Sequence, residues 1–330
     1  MSRYFISKIL ALSAGIILLI VAYFHNQNSI FIISGEAYGT SWSVSSSEYI
    51  GDHHKDKIKK IIHEIDLVAS NYKSESEISQ INLNYKESQF ISDDLFNILS
   101  IAKSVENISK GYYNIMLGKI SSNLGFAPDF GNDVIQKKIS TFELDEKNNS
   151  LSRYSNNWFD LSSIAKGYAV QKIHKYLISN KLENHVIDIG GEIIINGNKN
   201  GKPWNIGIQN PLFNQDIAYS TINNKNNEFL AIATSGEYRN YKISSDGQKV
   251  THTINPVTLS SINNSILSVT VVSETSATFA DAYATAFNAM GTSMALEIAN
   301  NNKIATMIIY KPKNDVDIIF SDKWYDLFYE

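Results

Sequence analysis

The chain has 330 residues, 43% of them hydrophobic and 19% charged, with a formal net charge of -4. That length and apolar content suffice for a large single domain or two intimate ones, while the weak acidity argues against a nucleic-acid partner held by a basic surface. Cysteine is absent, which excludes a disulfide framework, a thiolate zinc site, a cysteine nucleophile and a lipid-modified N-terminal cysteine.

Arg3 and Lys8 precede an uncharged apolar run from Ile9 to Phe24, the charge-then-hydrophobic order of an export signal. The run is at the short end for a spanning helix, which needs ~20 residues, and Phe5 and Ile6 can extend it. No small-x-small cleavage site follows Ala22, so an uncleaved anchor is favoured over a removed signal peptide. Positive charge before the span keeps that end inside. The expectation is a bacterial protein anchored in the inner membrane and facing the periplasm, with residues 1–28 as signal or anchor and 29–330 as the folded domain.

After a short polar linker, Ile30 to Ser47 alternates as strand, broken by Y-G-T at 38–40. A glycine there fits a bulge, a close backbone approach or a plain hairpin. Apolar residues at 58, 61, 62, 65 and 68 have the spacing of an amphipathic helix. The polar segment 71–82 that follows has no evident fold-level purpose; its one aromatic, Tyr72, can stack on a planar ring or simply sit in a loop. Asp93 to Ser109 predicts a second helix, ending at Gly111. Phe130 to Ser140 and the Asn-rich 147–157 read as irregular pieces and short strands.

Asp160 leads into a helix predicted to start near Ser162, with Ile164, Val170, Ile173 and Leu177 as its apolar stripe. Lys166 falls in the early turns, where a cation opposes the macrodipole; a bound anion would explain it, and so would simple solvation. Val186 to Gly197 reads as a buried strand with a Gly-Gly break, and Ala231 to Tyr241 as a strand ending in a hydroxyl-and-glycine turn. His252 stands just before a proline-fixed bend, a candidate base or an ordinary packed residue. Ile304 to Tyr310 and Asp317 to Phe320 are the closing strands.

Ser273 to Gly291 predicts a helix capped by Thr275 or Ser276 and stopped by Gly291. Asp281 and Thr285 are four apart and share one face, and alanines at 280, 282, 284, 286 and 289 keep that helix slim. A carboxylate and a hydroxyl so placed suit Mg2+; a well-packed helix whose Asp bonds a neighbouring loop is the other reading.

Eight stretches in order carry a resemblance: Y-G-T-S-W (38–42), Y-K-S-E-S-E-I-S-Q-I-N (72–82), G-Y-Y-N (111–114), D-L-S-S-I-A-K-G-Y-A-V (160–170), I-D-I-G-G-E (187–192), A-T-S-G-E-Y-R (233–239), H-T-I-N-P (252–256) and A-D-A-Y-A-T-A (280–286). The chain from Tyr38 to Gly291 resembles the ApbE family of flavin transferases, which move FMN from FAD onto a protein threonine. The resemblance implies an α+β fold, with mixed β-sheets and packed helices in two intimately associated halves around a flavin cleft. It implies Mg2+ held by Asp281 and Thr285, helped by Ala284 and by a backbone carbonyl in the turn from Ser163 to Ala165. Tyr72 would stack on the isoalloxazine; Tyr38, Tyr113, Asn114, Asp160, Lys166 and the backbone around Ile254 would line the FAD cleft; His252 would assist the nucleophile. The implied partners are FAD and an acceptor protein of an exported redox complex. The chain departs from the family pattern at three points. Tyr113-Asn114-Ile115-Met116 lacks the usual carboxylate and hydroxyl, Asn255 replaces an aspartate, and Tyr38 stands for a methionine. A protein that holds FAD without turning it over, or a Mg-dependent pyrophosphatase giving FMN and AMP, are the alternatives.

Overall fold

The computed structural model describes residues 3–27, 29–128, 136, 138–212, 218–226, 228–236, 241–243, 247, 249–313 and 315–329. In chain order the first elements are α1 (Arg3–Gln27), β1 (Phe31–Ala37), β2 (Thr40–Ser46), α2 (Asp52–Ala69), α3 (Glu77–Leu83), β3 (Ser88–Phe90), α4 (Asp93–Ile108) and α5 (Gly118–Asn123). The middle of the chain supplies β4 (Phe142–Asp145), β5 (Ser150–Arg153), α6 (Ala165–Ser179), β6 (His185–Ile189), β7 (Glu192–Asn196), β8 (Asn205–Gln209), β9 (Ala218–Asn223) and β10 (Leu230–Gly236). Then come β11 (Tyr241–Ile243), β12 (Lys249–Thr251), β13 (Ile254–Asn255), β14 (Ser260–Ser261) and β15 (Ile266–Ser273). The last are α7 (Ala277–Met290), α8 (Thr292–Asn301), β16 (Ala305–Tyr310), β17 (Asp317–Phe320) and α9 (Asp322–Phe328).

The α+β expectation holds. Eight strands form one sheet in the order β1-β2-β6-β7-β10-β15-β16-β17, with four small sheets beside it. Every pairing among the described strands is antiparallel. The β-branched run of β15 lies near the centre, buried from Ser268 to Val272, because helices cover one face and a second layer covers the other. On the first face α7 rests on β10 and β15, flanked by α4 and α6, with α2 packed on α6. On the second, Trp204, Ile208, Ile222 and Trp324 close over Ile195, Ile232, Val272 and Met307.

The local signals mostly materialise. Ile58, Ile61, Ile62 and Ile65 are the buried stripe of α2, and Ser276 caps α7 by accepting from the Phe279 amide. Y-G-T is a plain hairpin: Tyr38 (φ 54) and Gly39 (φ 73) form the two-residue turn between β1 and β2. The Gly-Gly break is a full chain reversal, since Gly190 (φ 63) and Gly191 (φ 103) turn β6 back as β7. Helix α6 begins at Ala165 rather than near Ser162, with Ile164 as its cap residue and no side-chain cap. Glu237, Tyr238 and Arg239 lie outside the described residues, as do 130–135 and 137 of the expected excursion.

The polar segment 71–82 does have a fold-level purpose. It contains α3, capped by Ser76, and its buried Asn71 and Asn82 form a clamp. Both side-chain amides donate to the Phe159 carbonyl, at 2.7 and 2.9 Å, and their oxygens accept from Leu161 N (3.0 Å) and Phe159 N (2.8 Å). Buried backbone groups must find such partners. The clamp therefore fixes the strandless stretch around Asp160, on which the site depends.

Among the described residues no helix is long and apolar enough to cross a membrane. Along α1 the large apolar side chains Phe5, Ile9, Leu10, Leu12 and Ile16 to Ile20 are exposed.

Candidate active site

The slimness of α7 brings α6 against it, and Gly167 is where they touch. A Cβ on Gly167 would lie 2.5 Å from Ala277 O and 2.7 Å from the Asp281 Cβ. The absent side chain lets the Gly167 amide donate to Asp281 Oδ2 at 2.9 Å. A carboxylate on α7 thus caps the otherwise uncapped start of α6, where free N–H groups favour negative charge. Asp281 is buried, which pushes its pKa up, while Lys166 and the Gly167 amide work in the other direction.

Lys166 does not need an external anion to be explained. Its ammonium pairs with Glu192 Oε2 at 2.6 Å. Burial alone would lower its pKa, but the charges of Glu192, Asp281 and Asp188 carry it above the usual lysine range. Glu192, the first residue of β7, is only 4% exposed, and burial raises its carboxyl against the pull of Lys166. Asp188, also raised by burial, accepts from Gly191 N at 2.9 Å. The motif I-D-I-G-G-E thus delivers two carboxylates from either side of one tight turn. Neither was singled out from the sequence, because a strand glutamate carries no local mark of its partner.

These groups decide whether a divalent cation fits. Three carboxylates surround one ammonium, leaving a surplus of negative charge in a buried place. Asp281 has one oxygen committed to Gly167, and the hydroxyl of Thr285, half-buried one turn on, has no hydrogen-bond partner among the described residues. Among the described residues no group of three or more His, Cys, Asp or Glu could hold a metal ion. A cation here would therefore add hydroxyl and carbonyl oxygens to Asp281, with water or substrate completing its shell, the donor set that Mg2+ accepts. The residues fit. Ser163 and Ala165 flank the cap of α6, with the Ser163 hydroxyl 3.0 Å from that of Tyr113. Ala284 is buried in the middle of α7, so only its backbone carbonyl, which keeps one lone pair beyond the helix ladder, could serve a cation.

From the Asp281 cluster an arc of groups leads to His252. Tyr113 is buried, and burial, Asp281 and Asp160 all raise its hydroxyl pKa. Asp160 accepts from Ser162 N at 3.0 Å, so one oxygen caps the turn. Tyr72, 66% exposed, donates to Phe126 O at 2.7 Å; burial and then the Asp160 charge raise its pKa. The Phe126 ring meets the His252 ring edge-on at 6.3 Å. Phe126 is a further member that sequence reading missed.

The remaining positions are held by local contacts. The Tyr38 hydroxyl donates to Ile62 O at 2.8 Å, and burial raises its pKa. Ile254 pairs with Ser261 and packs on Leu117 and Ile120. Both asparagines that replace an expected carboxylate shape the backbone. Asn114 donates to Glu106 (2.9 Å) and accepts from Met116 N (2.8 Å). Asn255 accepts from Val257 N and Thr258 N. An amide oxygen serves such turns as a carboxylate would.

A model of the ApbE family matches residues 38–308. Similar curated proteins include the FAD:protein FMN transferase of Vibrio cholerae, 32% identical over 295 residues (84% of this chain, 87% of the relative). That of Haemophilus influenzae is 29% identical over 336 residues, 94% of both chains. Among solved structures, the flavin transferase ApbE from Vibrio cholerae superposes with a TM-score of 0.77 at 26% identity, covering 91% of this chain and 99% of that one. The ApbE protein of Thermotoga maritima, at 23% identity, shares the fold with a TM-score of 0.78 over 92% of this chain and 100% of its own.

Proposed function

The chain belongs to the ApbE family, and on that premise we propose that it moves FMN from FAD onto a threonine of an acceptor protein, releasing AMP. The observation that carries this reading is the arc from Asp281 to His252, which gathers groups from separate stretches of the chain into one array. A dinucleotide needs what the arc offers: a metal-ready end with one lysine for its diphosphate and an aromatic end for its ring.

Tyr72 presents an exposed face for the isoalloxazine. Lys166 has ammonium donors beyond the one given to Glu192, and they are suited to phosphate oxygens. His252 takes the threonine proton as the hydroxyl attacks the FMN-side phosphorus in line, and AMP leaves. Asp281 and Thr285 would hold Mg2+, which when bound neutralises charge on the diphosphate and on the departing AMP.

The acceptor is an exported subunit of a redox complex, and the protein is held at the bacterial inner membrane facing the periplasm. The exposed apolar side chains of α1 support membrane attachment. Carbonate washing of membranes from cells making the full chain, or one lacking residues 1–28, tests this: the full chain should pellet and the truncated one wash free.

Incubation with FAD, Mg2+ and a candidate acceptor, followed by in-gel flavin fluorescence, tests the activity. Label on the acceptor supports transfer. Unchanged FAD indicates a holding protein, and free FMN with AMP a pyrophosphatase.

A further inference from the structure

Lys166 stands among three carboxylates, and the three are differently engaged. Asp188 and Asp281 each take one backbone N–H, from Gly191 and Gly167 at 2.9 Å. Glu192 alone takes the ammonium, at 2.6 Å. Lysine is a compact point charge on a flexible stem, so its ammonium goes wherever negative charge is nearest. With Glu192 replaced by glutamine, the ammonium is left beside Asp281, which already bonds the amide of the next residue, Gly167, at 2.9 Å, and whose charge, with that of Asp188, acts on Lys166. Asp188 lies on β6 with its turn, whereas Asp281 lies one turn from Thr285, where a cation would bind. An ammonium on Asp281 and a divalent ion on Asp281 exclude each other.

We propose that Glu192 is a positioning residue that holds the Lys166 ammonium off Asp281, keeping that carboxylate open to a divalent cation. This rests on the metal role given to Asp281 above. Both partners are brought together by the packing of α6 on β7, and Glu192 acts through Lys166 rather than on the substrate.

The test is Mn2+ binding to the full-length chain without FAD, by isothermal titration, for the unsubstituted protein, E192Q, K166M and the double variant. E192Q should raise the Mn2+ Kd about 10-fold or more, the range seen when a partner behind a metal ligand is removed. Adding K166M to E192Q should bring the Kd back to within about twofold of K166M alone, because the competitor is gone. A Kd unchanged by E192Q, or a loss that persists in the double variant, overturns the proposal. Absence of Mn2+ binding to the unsubstituted protein overturns the metal role itself and this inference with it. If melting curves show that E192Q does not fold, E192D replaces it: the charge is kept but the reach is shortened, and the loss should again be relieved by K166M.

Discussion

Replacing Gly167 by alanine should destabilise the protein, although helix propensity argues the opposite. Within a helix, alanine is favoured over glycine by ~1 kcal/mol. At this position the new Cβ would meet Ala277 O at 2.5 Å, about 0.9 Å inside the 3.4 Å where ordinary contact begins, with Asp281 Cβ at 2.7 Å. Both neighbours belong to the body of α7, so no flexible side chain can swing away. The helices must part, and the 2.9 Å bond from Gly167 N to Asp281 Oδ2 then stretches beyond useful length. Overpacking costs ~1–3 kcal/mol, and loss of a hydrogen bond to a charged group ~1.5–3 kcal/mol. Set against the propensity gain, the net loss is about 1.5–5 kcal/mol. Urea unfolding of the metal-free protein should show a lower midpoint at unchanged slope, and Mn2+ affinity should fall with it. A variant as stable as the parent would refute the argument that this contact sets the distance between α6 and α7.

Three further outcomes follow from the same geometry. His252→Ala should slow transfer by ~10²–10⁴-fold while leaving FAD affinity, read by flavin fluorescence, within about twofold; a matching loss of affinity would move His252 from proton transfer to binding. Asp281→Asn should abolish transfer yet raise the melting temperature in EDTA. Burial raises the Asp281 pKa, so its ionised form opposes folding at neutral pH, and the amide oxygen can still accept from Gly167; a lower melting temperature would contradict this. The third concerns pH. His185 is buried, with its Nε2 2.9 Å from His174 Nδ1, and burial lowers its pKa from 6.5 to about 4. Between those values the unfolded chain binds a proton that the folded chain refuses, so stability falls as pH drops from about 6.5 towards about 4. At ~1.4 kcal/mol per pH unit the loss reaches about 3 kcal/mol. The gap between urea midpoints at pH 7 and 5 should narrow in His185→Gln, the remainder belonging to His174, which burial also lowers to about 4; an unchanged gap would exclude His185 as a source.

Much of the architecture was legible because its causes are local. The spacing of Ile58, Ile61, Ile62 and Ile65 marked the inner face of α2, and the Ser276 and Gly291 signals bounded α7. The closing strands were visible in their β-branched runs. Asp281 and Thr285 could be paired from the sequence since a helix sets residues four apart side by side. Asn71 and Asn82 could not be understood that way. They looked like loop because their partner, the backbone at Phe159, lies 88 and 77 residues further along the chain. Phe126, between Tyr72 and His252, escaped notice for the same reason.

The sequence by itself determined the longer helices α2, α4, α6 and α7, the central strands and the family, since periodicity, capping residues and ordered motifs are properties of neighbours in the chain. Tertiary structure alone decided which carboxylate Lys166 pairs with and which oxygen of Asp281 the Gly167 amide takes. Gly167 meets Asp281 across 114 residues and Lys166 meets Glu192 across 26. Such encounters depend on how closely α6 packs on α7 and β7, a matter of ångströms of side-chain volume summed over the core, which no local pattern encodes.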